Sequence, residues 1–90
     1  MSEWMARVAD EVESAEVHLA EAQKAKDPAQ RQSAWMKFQE HASEARAVMN
    51  VSVFRTKDEE KAKVDAFERK LVTAYLDGLK AVAADITFLR

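Results

Sequence analysis

The sequence predicts an all-α fold: one small domain of three helices arranged up-down-up, a helical hairpin followed by a longer third helix. Three observations predict it. The 90 residues include one glycine and one proline, which leaves almost nothing from which to build tight turns. Alanine supplies 17 residues, and glutamate, lysine and arginine fill much of the remainder, a composition of strong helix formers. Apolar residues recur at three- and four-residue spacing along three segments, as one face of a helix requires.

The first helix is expected over residues 3–26. Met5, Val8, Val12, Ala15, Leu19 and Ala22 form its apolar stripe, and Lys24 and Lys26 suit the negative end of its dipole. Asp27-Pro28-Ala29-Gln30 then reads as a break and restart: an aspartate that caps, a proline at the first helical position and a glutamine placed to complete a capping box. The second helix follows over 28–49, with Trp35, Phe38, Ala42, Ala45 and Met49 on its stripe. Asn50-Val51-Ser52-Val53-Phe54 combines a favoured helix-ending residue with β-branched neighbours, which places a loop at 50–55. Thr56-Lys57-Asp58-Glu59 reads as a second capping box and opens a third helix over 57–88. Its main stripe is Val64, Phe67, Leu71, Ala74, Tyr75, Gly78, Val82, Ile86 and Leu89, with Val72, Leu76, Leu79 and Ala83 beside it. Gly78 is the one point at which this helix has a reason to end early.

At about 1.5 Å per residue the first two helices reach roughly 33 to 36 Å and the third near 48 Å, so its end is expected to overhang the hairpin. Leu79, Val82, Ile86, Phe88 and Leu89 are therefore the expected self-association residues, with a homodimer as the expected assembly.

Charge is unevenly placed. Fourteen basic against 16 acidic residues give a net charge of −2, which disfavours polyelectrolyte binding. Residues 1–27 hold seven acids and three bases, residues 28–56 two and four, and residues 57–90 seven of each. The first helix is thus the acidic element. Its outer side carries Glu3, Asp10, Glu13 and Glu16 around Val17, a stripe suited to docking on a basic surface of a larger protein. Trp4 and Phe54 are the expected aromatic anchors for that partner. A DNA-binding role would rest instead on Arg55, Lys57, Lys61 and Lys63, each interleaved with carboxylates.

Chemistry finds little purchase. There is no cysteine, hence no thiolate nucleophile and no cysteine-based metal site. His18 and His41 are each followed three residues later by glutamate, the reverse of the Glu-x-x-His order of di-metal bundles. In a hairpin centred near Asp27 the two histidines differ by roughly 8 Å along the axis, which puts them in different layers. No catalytic residues, cofactor or metal ligands are expected. The apolar fraction of 48 % contains no run near the roughly 20 residues of a membrane span, and the opening Met-Ser-Glu-Trp-Met carries no export signal, so a cytoplasmic location is expected. The functional expectation is a small non-enzymatic protein–protein interaction module that binds and regulates or inhibits a larger protein, of the kind a phage or mobile element encodes. The alternatives are a small helical DNA-binding regulator and a structural or assembly subunit acting as a homo-oligomer.

Overall fold

The computed structural model describes residues 3–52 and 58–88, and all three segments of helix are there. Helix α1 spans Glu3–Lys24, α2 spans Pro28–Ser52 and α3 spans Asp58–Phe88, with no strand among the described residues. Glu3 in the first turn of α1 and Lys24 in its last complement the helix dipole. One further backbone bond, from Ala25 N to the Glu21 carbonyl at 2.9 Å, extends the α1 pattern before the chain turns. Asp27 lends its carbonyl to the Arg31 N–H at 3.0 Å, the first bond of α2, with Pro28 at the position where a missing N–H costs nothing.

Two boundaries differ from expectation. Helix α1 stops at Lys24, not at residue 26, and α2 runs on through Asn50, Val51 and Ser52, where a loop was expected. Asn and Val each cost only some tenths of a kcal/mol in a helix relative to Ala. Nothing at 50–52 breaks the backbone ladder, and Met49, buried just before it, holds the helix end in place. Gly78 does not end α3, which passes through it.

The core is the set of stripes read from the spacing. Met5, Val8, Val12, Ala15 and Ala22 come from α1, Ala34, Trp35, Phe38, Ala45 and Met49 from α2, and Leu71, Ala74 and Val82 from α3. Alanine at several of these positions lets α1 and α2 approach closely, and they share the larger interface. Along α1 and α2, ascending numbers meet descending ones: Arg7 reaches Glu44 and Glu11 reaches His41. The same order holds between α2 and α3, where Arg31 meets Asp85, and Trp35 meets Gly78 and Tyr75.

Helix α3 is still the longest element, but the pairing of Arg31 with Asp85 keeps its C-terminal part, Asp85 included, beside the start of α2, where an overhang was expected. The molecule measures 45 × 19 × 16 Å, and 31 residues of α3 span that long axis at about 1.5 Å each. The contact of Arg31 with Asp85 sets the C-terminal part of α3 beside the α1–α2 turn, where Val82 and Asp85 are buried.

Candidate functional site

Three features stand out: the outer face of α1, a stripe on α3, and a cluster of polar side chains across the helix seams.

On α1, Glu3, Asp10 and Glu13 are exposed, and Val17 among them is 53 % exposed. These positions lie opposite the buried stripe because their spacing rotates them to the far side of the helix. Glu16 is exposed too, but it sits at the α1–α3 edge, where it lines a shallow hollow with Arg69, Lys70 and Thr73. Trp4 is half-buried and packs against the core, so it is at most a partial anchor. Phe54 lies outside the described residues.

On α3, the residues assigned to self-association divide. Val82 is buried in the chain's own core at 1 % exposure, and Leu79 is half-buried against it. Leu89 lies outside the described residues, as do the side chains of Ile86 and Phe88. Among the described residues of this helix, the exposed large apolar ones are Val72 at 48 %, Tyr75 at 40 % and Leu76 at 53 %. They belong to the second stripe noted in the sequence and to its edge toward α2.

The histidines correct the layer arithmetic. His18 and His41 stack face to face across α1 and α2, with ring centroids 5.3 Å apart and planes within 12°. Helical side chains lean toward their own N-terminus. His18 on α1 therefore leans away from the turn while His41 on α2 leans toward it, and the two leans close the axial gap. His41 Nδ1 lies 2.6 Å from Glu11 Oε2. His18 Nδ1 is buried without a hydrogen bond, 3.3 Å from Glu21 Oε1. Among the described residues no group of three or more His, Cys, Asp or Glu is arranged to hold a metal ion.

Sequence reasoning missed a polar clamp at the turn. The Arg31 guanidinium donates to both oxygens of Asp85, from Nε at 3.1 Å and from Nη2 at 2.8 Å, and its Nη1 donates to the Ala25 carbonyl at 3.1 Å. One side chain from α2 thus holds the end of α3 and satisfies a carbonyl freed where α1 stops. The hydrogen bonds from Arg31 hold the Asp85 carboxyl below its ordinary range against the opposing effect of burial. The same hydrogen bonds to Asp85 raise Arg31 in turn. A signal was available: Asp85 interrupts the apolar run Ala81-Val82-Ala83-Ala84-Asp85-Ile86 on the buried side of a helix, where a lone carboxylate needs a partner.

Of the basic residues considered for phosphate contact, Lys61 pairs with Asp58 at 3.2 Å, Lys63 is exposed, and Arg55 and Lys57 lie outside the described residues. No helix of the described residues is long and apolar enough to cross a membrane. Comparison of the chain with protein-family models, with curated proteins and with solved structures finds no match to any of them.

Proposed function

We propose that this chain is a small non-enzymatic interaction module that binds a larger protein through the outer face of α1 and so regulates or inhibits it. The observation that carries the reading is that Glu3, Asp10, Glu13 and Val17 are all exposed along one side of one helix. A line of like charge leading to an exposed apolar residue is what a basic surface with a small hydrophobic depression accommodates, and long-range attraction speeds the encounter. Glu16 extends the same field toward α3, although it faces Arg69 and Lys70 of its own chain across the hollow.

The contacts that pair ascending with descending residue numbers support reading the three helices as an up-down-up bundle, a rigid frame that presents α1 outward. In this reading the chain works in the cytoplasm, as regulators encoded by phages and mobile elements do, and forms a homodimer through α3.

The test is a nuclease-treated pull-down from host lysate with the wild type beside a Glu3→Lys, Asp10→Lys, Glu13→Lys variant. The reading expects one larger protein held by the wild type and released by the variant, whose bundle stays folded because all three side chains are exposed, with only the first turn of α1 weakened by the change at Glu3. Equal retention by both chains contradicts it.

A further inference from the structure

A hollow of about 320 Å³ lies between α2 and α3, with no residue of α1 in its lining. Its shape follows from the helical period. Gln39, Ala42, Ser43 and Arg46 recur at spacings that keep them along one side of α2, and Leu71 and Tyr75, one turn apart, face them from α3. Phe38 and Leu71 are fully buried core residues and make a rigid floor. Above that floor, Tyr75 at 40 % exposure and the half-buried Ala42 are the apolar surface that a ligand reaches.

The rim is polar and carries one sign of charge. Among the described residues that line it, Arg46 alone is charged, and no carboxylate stands there. Its guanidinium makes no ion pair or hydrogen bond within the described residues, and neither do the side-chain polar groups of Gln39, Ser43 and Tyr75. Arg7 and Arg31, by contrast, are each committed to a carboxylate. The hollow on the other side of Gln39 and Ser43 has the opposite character, because Glu11, Glu40 and Glu44 line it. An anion is therefore directed to the α2–α3 side.

We propose that the α2–α3 hollow binds a small carboxylate that carries an aromatic ring. The ring lies against Tyr75 and Ala42, the carboxylate meets Arg46, and Gln39 and Ser43 supply further donors. Two features select this occupant. An aromatic wall over an apolar floor, with a few convergent polar groups, is the usual make-up of a small-molecule site, and the volume sits at the small end of the range of about 300–1,000 Å³ for such sites. The guanidinium is a planar, two-pronged donor that matches a carboxylate, and no acid in the lining competes for it. The site is independent of the α1 face. Because the hollow is open on one side, the affinity expected for a two-ring carboxylate is on the order of 1 mM.

The test titrates the isotope-labelled full chain with naphthaleneacetate and, separately, with naphthaleneacetamide, which keeps the ring and lacks the charge. Nuclear magnetic resonance shifts are expected to saturate at Gln39, Ser43, Arg46, Leu71 and Tyr75, while Glu3, Asp10 and Glu13 stay unmoved. The acid is expected to bind about tenfold more tightly than the amide, the share of one charge-assisted hydrogen-bonded pair. Arg46→Gln alters an exposed side chain, so the bundle stays folded, and it should bind the acid no better than the amide. No saturable shift at these residues up to the solubility limit of the acid, or shifts centred elsewhere, overturns the site. Equal affinity for acid and amide, or an Arg46→Gln chain that still prefers the acid, overturns the carboxylate assignment.

Discussion

The indole of Trp35 lies directly against the backbone of Gly78, so closely that no other residue fits there. A Cβ at position 78 would stand 2.7 Å from Trp35 Cε3 and 2.8 Å from Cη2, and closer still to Cζ3. The same indole stacks on Phe38 at 4.9 Å and tilts against Tyr75 at 5.4 Å, so it is walled in and cannot swing aside. The one glycine of the chain is the seat that lets α3 close on α2.

Gly78→Ala therefore sets two effects against each other. Helix propensity favours alanine by about 1 kcal/mol, whereas overpacking a filled core costs about 1–3 kcal/mol. The clash is with a ring and not with the end of a flexible chain, so overpacking wins and the melting temperature falls. Trp35→Leu in the same chain should recover part of the loss by making room. A Gly78→Ala protein more stable than the wild type in thermal melts would contradict this packing.

The Arg31–Asp85 clamp gives stability a defined pH dependence. Asp85 has a lowered folded-state pKa, so its contribution is present above the ordinary carboxylate value of about 3.9 and is lost as pH falls through the lowered one. Asp85→Asn is expected to melt below the wild type at pH 7, and the gap should narrow as pH drops below about 4. A gap as wide at pH 2.5 as at pH 7 would show that the carboxylate charge is not what holds the end of α3.

The His18–His41 stack fixes the register of α1 against α2. Ring centroids 5.3 Å apart bring ring protons of the two residues within reach of a nuclear Overhauser effect. Selectively labelled histidine should show that cross-peak in the wild type. If the cross-peak is missing while the bundle is folded, the two helices are offset from the register described.

Asn50 is exposed within the last turns of α2. Asn50→Ala should raise stability by a few tenths of a kcal/mol, since alanine is the better helix former. A loop at 50–55 would instead give no gain, and denaturant midpoints separate the two.

Much of the architecture was legible because local spacing decides it. Met5, Val8, Val12, Ala15 and Ala22 follow as one buried face from their spacing alone, as do Trp35, Phe38, Ala45 and Met49. What spacing could not reveal depends on which helix faces which, and at what height. Arg31 and Asp85 are 54 residues apart in sequence, and neither carries a motif. The histidine stack was hidden because a count along the axis ignores the direction in which helical side chains lean. Val82 is buried for a related reason: Arg31 meets Asp85, which sets this part of α3 beside the α1–α2 turn, a height that spacing along one helix does not fix. On α1, by contrast, the exposed positions Glu3, Asp10 and Glu13 followed from the helical period alone.

Binding through the outer face of α1 would shield its carboxylates, which carboxyl footprinting reads: a carbodiimide label is applied to the free chain and to the chain in its captured complex, and each carboxylate is read by mass spectrometry. Glu3, Asp10 and Glu13 are expected to lose label in the complex while Asp58 and Asp65 at the start of α3 keep theirs. Full labelling of the three α1 carboxylates in an intact complex would contradict it.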